Sequence, residues 1–267
     1  MTAIFIPEGP LFRATELAGG PWSPDMLQGS ATSALMTREV ERLAIASNFA
    51  VRRLTFDLWR PAGLRAFSVV SELLRDGRKA KTMQVRLMDG ETEISRCTAL
   101  LTAQGSESPA DPFSKMIAKD PAPETGSPPP AFVKKWSHYF QNVSVRVIEG
   151  ALEKPGPAAA WMRLDVPLVP GEIVTPLLQA VQAADFSSGV AQIVDLREWS
   201  FVNPDISLYF LRAPEGEWIL IRSQTRAGPN GAGLTTATLS DQRGPFAEVT
   251  QAMTFERREV SQKSQAS

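Results

Sequence analysis

The spacing of apolar residues changes near residue 48, and this change separates a predicted helix from predicted strands. In residues 28–47, apolar side chains recur every three to four positions, which is typical of a helix that buries one face. These apolar positions are Leu35, Met36, Val40, Leu43 and Ala44. Pro21 and Pro24 come before this stretch, and the helix should begin after them.

After residue 48 the apolar and polar residues alternate, which predicts β-strands. Four strands are predicted, over residues 49–59, 67–75, 81–88 and 94–102. Asp76-Gly77 and Asp89-Gly90 lie between successive strands, and such dipeptides favour tight hairpin turns. The first half is therefore predicted to be one helix followed by an antiparallel meander.

The second half repeats this order of elements. Strands are predicted over residues 139–149, 160–167, 205–212, 218–226, 233–241 and 246–257. A helix is predicted over residues 175–186, with Thr175 as its N-cap. The sequence LTFDLWRP begins at Leu54 and ISLYFLRA begins at Ile206, so the two halves align at an offset of 152 residues. The pattern predicts a duplicated α+β fold.

A proline-rich stretch separates the halves. Residues 104–130 read QGSESPADPFSKMIAKDPAPETGSPPP, and neither a helix nor a central strand can run through so many prolines. We therefore predict an N-terminal unit over residues 1–104, a linker over 105–137 and a C-terminal unit over 138–258. Residues 259–267 are polar and are predicted to form a disordered tail.

Composition narrows the functional classes. Lys and Arg number 28 and Asp and Glu number 29, and a net charge of -1 argues against nucleic acid as the main partner. The single cysteine, Cys97, excludes a disulfide within the chain, and one histidine, His138, excludes a multi-histidine metal site. No apolar run approaches the roughly 20 residues that cross a bilayer, and no targeting segment is evident. We expect a cytoplasmic protein without a membrane span or a metal.

Several longer strings are similar to a known family. They are GPWSPDMLQGS, LTFDLWRPAG, AADFSSG, FVNPDISLYFLRAPEGEWI, GAGLTTATLSDQRGPFAEV and TQAMTFERR. The chain resembles the TesB-like acyl-CoA thioesterases from about Phe12 to Arg257. The resemblance implies a double hotdog, in which two antiparallel sheets, each wrapped around a central helix, join into one continuous sheet. It also implies an acyl-CoA substrate, no cofactor and a homodimer.

The resemblance also implies a set of site residues. Asp185, Asn203 and Gln251 match an acidic residue, a Thr or Asn and a Gln that together hold a water in that family. A carboxylate can act as a base towards water, and carboxamides can orient water because they both donate and accept hydrogen bonds. Gly29, at the start of the first helix, is our candidate for an N–H that stabilises an oxyanion. Gln28 stands where many relatives have a histidine; it can bind substrate by a hydrogen bond but cannot protonate a leaving thiolate.

Each of these residues also has a purely structural interpretation. Asp185 can be an ordinary helix-end residue, Asn203 before Pro204 a turn residue, and Gln251 a solvent-facing strand residue. Asp205 is a rival acid. Two other functions stay open: an acyl-CoA-binding protein without catalysis, and an enoyl-thioester hydratase or dehydratase, against which the isolated His138 argues.

Overall fold

The structure, a computed structural model, describes residues 3–105, 109 and 120–258. The predicted tail, 259–267, and residues 106–108 and 110–119 of the predicted linker lie outside the described residues. The α-helices of the described residues are α1 (Gly29–Ser47), α2 (His138–Gln141), α3 (Pro176–Asp185) and α4 (Ser187–Val190). The strands are β1 (Phe5–Glu8), β2 (Leu11–Ala14), β3 (Phe49–Leu58), β4 (Ala66–Asp76), β5 (Ala80–Asp89), β6 (Thr92–Ala103), β7 (Val143–Glu149), β8 (Ala158–Leu164), β9 (Trp199–Val202), β10 (Asp205–Phe210), β11 (Ile219–Ala227), β12 (Ala232–Asp241) and β13 (Gly244–Arg257).

All these strands belong to one antiparallel sheet. Its order is β1-β2-β4-β5-β6-β3-β10-β13-β12-β11-β8-β7, and β9 pairs with β13 beside this path. Across the sheet, β3 is the last strand from the first half and β10 is its neighbour from the second half. The β3–β10 pair therefore joins the halves. The helix α1 packs on β3, β5 and β6, while α3 packs on α1 and on β8 and β11. The two central helices and the inner face of the sheet form the hydrophobic core.

The predicted repeat is visible in the register of the central strands. Thr55 of β3 faces Ser207 of β10, and their hydroxyls lie 3.4 Å apart. These two residues are separated by the same offset, 152, that aligns the two halves in sequence. Each residue therefore faces its own counterpart, and the axis that relates the halves passes between them.

Both central helices have clear end signals. The helix α1 ends at Asn48, which adopts the left-handed conformation (φ 55°) and donates its backbone N–H to the carbonyls of Ala44 and Ile45. The helix α3 begins after Thr175, whose hydroxyl oxygen accepts the N–H of Leu178. The predicted cap at Thr175 is confirmed.

The prediction of a strand over residues 139–149 is wrong at its start. Residues 138–141 form the helical turn α2, because Ser137 caps it by accepting the N–H of Phe140 at 3.0 Å, and β7 begins only at Val143. The hairpin β1–β2 and the strand β9 were not predicted. Each of these strands has four residues, too few to show an alternating pattern, and β1 contains Pro7.

Part of the predicted linker packs on the outer face of the second half. Trp161 donates its indole N–H to the carbonyl of Pro121 at 2.9 Å, and Arg222 forms an ion pair with Asp120. Farther along, Ser127 forms a β-bridge with Val147. Residues 120 and 121 therefore lie on the side of the sheet that faces away from the helices, and Ser127 pairs with its edge strand β7, whereas Val133 is buried in the hydrophobic core. Of the helices that the structure describes, none is long and apolar enough to cross a membrane.

Candidate active site

Asp185 stands where the two halves meet. It is the last residue of α3, and its side chain is buried against the N-terminal end of α1, with 7% of the residue exposed. Its Oδ2 accepts hydrogen bonds from Gln28 Nε2 at 2.9 Å and from Ser30 Oγ at 2.7 Å. Its Oδ1 accepts one from Asn203 Nδ2 at 3.3 Å. Three donors from both halves of the chain thus fix one carboxylate.

Gly29 lies directly against this carboxylate. A β-carbon added to Gly29 would be 2.7 Å from Oδ1 of Asp185 and 3.0 Å from Oδ2, so a larger residue would clash. The first N–H groups of a helix have no acceptor inside the helix, and the helix dipole places partial positive charge there. The N-terminus of α1 therefore offers donors beside the carboxylate, as a site for a developing oxyanion requires.

Gln251 is fully buried in β13, which excludes the interpretation that it faces solvent. Its Nε2 donates to the backbone carbonyl of Ala184 at 3.0 Å and to that of Asp185 at 3.4 Å, and no hydrogen bond joins it to the Asp185 carboxylate. The structure thus places Gln251 against the last turn of α3. Its Oε1 has no partner within the described residues.

The first half has no counterpart of Gln251. Thr98 faces Thr55, and Thr250 faces Ser207, so these two pairs are equivalent under the repeat. The next residue along is Gln251 in β13 but Ala99 in β6. The polar site is therefore built once in the chain, from the end of α3, the β9–β10 turn and the start of α1.

Ser30 is a site residue that the sequence did not reveal. It is fully buried and makes the shortest of the three hydrogen bonds to Asp185. Its one sequence signal is a hydroxyl beside Gly29 in the first turn of a helix, where serine commonly serves as a cap. Because that structural role is common, the sequence alone does not predict the hydrogen bond of Ser30 to Asp185 in the other half of the chain.

Three aromatic rings form a row that reaches the surface. Trp22 contacts Phe201 edge-on, with ring centroids 5.7 Å apart, and Phe201 lies 6.2 Å from Phe255. Phe201 precedes Asn203 by two residues, and Phe255 lies on the same face of β13 as Gln251 because side chains alternate along a strand. The Trp22 side chain is half-exposed. We call Trp22, Phe201 and Phe255 the aromatic rim.

The other candidate residues lie in different surroundings. Cys97 is buried in β6, and burial followed by the charge of Asp57 raises the pKa of its thiol well above the usual value, so it is a poor nucleophile. His138 is exposed at the start of α2. The Asp205 carboxylate accepts the N–H of Ala252 at 2.7 Å, and its pKa is raised by burial and by Asp57 opposite it. No three Cys, His, Asp or Glu side chains of the described ranges gather as metal ligands.

Comparison with known families accounts for both halves. Residues 18–103 match the acyl-CoA thioesterase N-terminal domain, and residues 118–255 match the acyl-CoA thioesterase C-terminal domain. The chain belongs to the acyl-CoA thioesterase family. The predicted family is thus confirmed, and the C-terminal match includes residues 118–137, which we predicted as linker.

Solved structures of similar fold cover nearly the whole chain. A hot dog fold protein of unknown function from Alicyclobacillus acidocaldarius has a TM-score of 0.72 at 16% identity, covering 96% of each chain. The acyl-CoA thioesterase II TesB2 of Mycobacterium marinum has a TM-score of 0.65 at 18% identity, covering 94% of this chain and 95% of its own. The TesB protein of Mycobacterium avium subsp. paratuberculosis has the same values. The predicted double hotdog is confirmed. Among curated proteins, no relative matches the sequence.

Proposed function

We propose that this protein hydrolyses an acyl-CoA thioester to a free acid and coenzyme A, with Asp185 as the general base. The observation that carries the proposal is the buried Asp185 carboxylate, held by three hydrogen-bond donors against the N-terminus of α1. A base must be held in place beside the group that stabilises the oxyanion, and Asp185 and Gly29 are adjacent.

The two oxygens of Asp185 have different surroundings and take different roles. Gln28 and Ser30 occupy Oδ2, while Oδ1 accepts the single, longer bond from Asn203. The attacking water is bound at Oδ1, where the Asn203 carboxamide also orients it. In this proposal the reaction needs no metal, no cofactor and no covalent intermediate on the enzyme.

The reaction then proceeds in two steps. Asp185 takes a proton from the water while the water oxygen forms a bond to the thioester carbon, and the carbonyl oxygen becomes an oxyanion that accepts a hydrogen bond from the Gly29 N–H. The tetrahedral intermediate collapses, the carbon–sulfur bond breaks, and Asp185 returns the proton to the coenzyme A thiolate. Free acid and thiol leave, and Asp185 is again a carboxylate.

Gln28 and Gln251 position the base in this account. Gln28 donates its amide N–H to Asp185 and so holds the carboxylate. Its Oε1 has no partner in the described part of the chain, and we propose that this oxygen accepts a hydrogen bond from the bound substrate. Gln251 holds the carbonyls of the last turn of α3. We infer that Gln251 fixes the end of α3, and with it Asp185.

The aromatic rim supplies an apolar wall for the acyl group. Its rings run from half-exposed Trp22 to Phe201, which precedes Asn203 by two residues, and aromatic side chains bind apolar groups strongly. The acyl chain therefore crosses Trp22 and Phe201 before its carbonyl reaches Gly29. The homodimer and the cytoplasmic location stay predictions.

One observation favours a second candidate function, acyl-CoA binding without hydrolysis. The Gln28 carboxamide donates to Asp185 and has no acidic proton, so Asp185 alone would have to protonate the leaving thiolate. Without that protonation, the same site would hold a thioester without cleaving it. The hydratase alternative has less support, because the one histidine is exposed at the start of α2.

A hydrolysis screen separates these candidates. The purified protein is mixed with straight-chain, branched and aryl acyl-CoAs, and released thiol is measured with a chromogenic disulfide. We expect thiol release from at least one acyl-CoA, and loss of that release in Asp185→Asn. Saturable binding by calorimetry without thiol release from any substrate would favour the binding protein instead.

A further inference from the structure

Tyr139, in the helical turn α2, has a buried side-chain hydroxyl. Its side chain is fully buried, and the hydroxyl has no hydrogen-bond partner in the residues that the structure describes. A buried polar group without a partner costs about 1–3 kcal/mol, and in native proteins such a group has a specific explanation, for example a bound water or a catalytic role. The surroundings of Tyr139 favour a catalytic role.

Tyr139 contacts the segment that precedes α1 and the residue that follows α3. Its backbone N–H donates to the carbonyl of Gly19 at 3.0 Å, and Gly19 is paired by a β-bridge with Leu27, just before α1 begins. Its ring lies 6.1 Å, centroid to centroid, from that of Phe186, the residue after Asp185. Tyr139 thus stands at the junction where the start of α1 meets the end of α3.

The electrostatics of Tyr139 suit a neutral donor. Burial, followed by the negative charge of Asp185, raises the pKa of the Tyr139 phenol well above its ordinary value. The phenol therefore keeps its proton at neutral pH and acts as a donor. A neutral, protonated donor in a buried site is a suitable partner for an oxyanion, because it stabilises the charge without competing for protons.

We propose that the Tyr139 hydroxyl donates a hydrogen bond to the thioester carbonyl oxygen and shares the oxyanion with the Gly29 N–H. The proposal rests on the proposed function of the Asp185 site. The proton stays on Tyr139 throughout, so the balance of the two reaction steps is unchanged. Gln28 and Ser30 already donate hydrogen bonds to Asp185, whereas the Tyr139 hydroxyl is available to donate to the substrate.

The Tyr139→Phe variant tests the role, because it removes the hydroxyl alone. We expect kcat to fall about 100- to 1,000-fold, as for removal of one oxyanion donor, with KM changed less than about 3-fold. The melting temperature should stay the same or rise slightly, since the hydroxyl makes no bond within the described chain. Full kcat in Tyr139→Phe overturns the proposal, and so does a clearly lower melting temperature, which would reveal a structural partner.

The chain offers a matched control. It contains two tyrosines, and the other, Tyr209, is exposed on β10. We expect Tyr209→Phe to keep the kcat and KM of the parent. A comparable loss of kcat in both variants would contradict a specific role for Tyr139.

A spectroscopic measurement tests the contact without turnover. In Tyr209→Phe protein labelled with 3-fluorotyrosine, one fluorine resonance reports on Tyr139. We add a dethia acyl-CoA, in which CH2 replaces sulfur and the carbonyl remains, and follow binding by calorimetry. We expect the resonance to shift in proportion to binding, and to shift much less with an analogue whose carbonyl is reduced to CH2.

The outcomes of these experiments separate the two proposals. Binding that saturates without moving the fluorine resonance overturns the role of Tyr139 and leaves the proposed hydrolysis standing. Absence of both binding and thiol release with every acyl-CoA overturns the proposed function itself, and the Tyr139 role with it.

Discussion

Gly29 at the start of α1 touches the carboxylate of Asp185 at the end of α3 so closely that a β-carbon at Gly29 would lie 2.7 Å from Oδ1. One residue supplies a backbone donor and the other a base, and each comes from a different half of the duplicated chain. The site therefore exists only when the two halves are packed as one unit. Substitutions at this contact and around it should therefore change activity.

Gly29→Ala should damage the site directly. The added methyl group must displace the Asp185 carboxylate, so we expect kcat/KM to fall at least about 100-fold and stability to fall by about 1–3 kcal/mol. Activity assays and thermal unfolding measure both effects. Gly189→Ala is the matched control, because Gly189 lies in α4 and a β-carbon there meets nothing within 4 Å. Equal effects of the two substitutions would contradict the importance of the close contact.

Ser30→Ala should weaken the hold on Asp185. The hydroxyl makes the 2.7 Å bond to Oδ2, and its removal should lower kcat about 10-fold and stability by about 1–2 kcal/mol. Ser33 lies one turn farther along α1, is equally buried, and its hydroxyl has no partner in the described ranges. We expect Ser33→Ala to be neutral in both assays. Loss of kcat in Ser33→Ala alone would reverse the assignment.

Trp22→Ala should affect substrate binding more than chemistry. Trp22 lies at the outer end of the aromatic rim, so for a medium- or long-chain acyl-CoA we expect KM to rise about 10-fold and kcat to stay within about 3-fold. Trp59→Ala is the control, since Trp59 is exposed to the same degree and stacks beneath Arg96 instead. If KM is unchanged in Trp22→Ala over a series of acyl chain lengths, the aromatic rim does not bind the acyl group.

Glu41→Gln should stabilise the protein in a pH-dependent manner. Burial raises the pKa of Glu41, although a hydrogen bond from Thr175 opposes the shift. Because the folded pKa lies above the unfolded one, the folded state binds the proton more tightly, and stability falls as the pH rises through that interval. Glu41 is partly exposed, so we expect Glu41→Gln to gain only about 0.5 kcal/mol at pH 7, roughly 1–2 °C in melting temperature.

The gain in Glu41→Gln should vanish below the ordinary pKa of a glutamic acid, about 4.3, where Glu41 is protonated in both states. Melting curves from pH 3.5 to 7.5 measure this dependence, and Glu91→Gln, in an exposed turn, should show none of it. A gain that is as large at pH 3.5 as at pH 7 would show that desolvation of the charge is not the cause.

The sequence predicted the repeat more completely than it predicted the site. The offset of 152 residues, found from two short strings, is the offset at which Thr55 and Ser207 face each other. Hydrophobic alternation repeats within each strand, so it predicts faces and neighbours well. The start of β7 was wrong because the hydroxyl of Ser137 stabilises a helical turn that the alternation of apolar residues does not record.

The site was only partly predictable, because its contacts join residues far apart in the chain. Gln28, Gly29, Asp185 and Asn203 do come together, as the resemblance implies. The direction of the Gln251 carboxamide, towards the backbone of α3, depends on where that helix ends in space. Ser30 and Tyr139 gave no signal, because a serine in a first turn and a tyrosine in an apolar segment both have ordinary structural uses.

The most direct test of the account is thiol release by Asp185→Asn, on an acyl-CoA that the parent protein cleaves. Asparagine keeps the size of the side chain and can accept hydrogen bonds, but it cannot take a proton from water. Asp205→Asn serves as the control, because Asp205 binds the backbone of Ala252 instead. We expect kcat to fall roughly 100- to 10,000-fold in Asp185→Asn and less than about 3-fold in Asp205→Asn. Full activity in Asp185→Asn would contradict the assignment of Asp185 as the base.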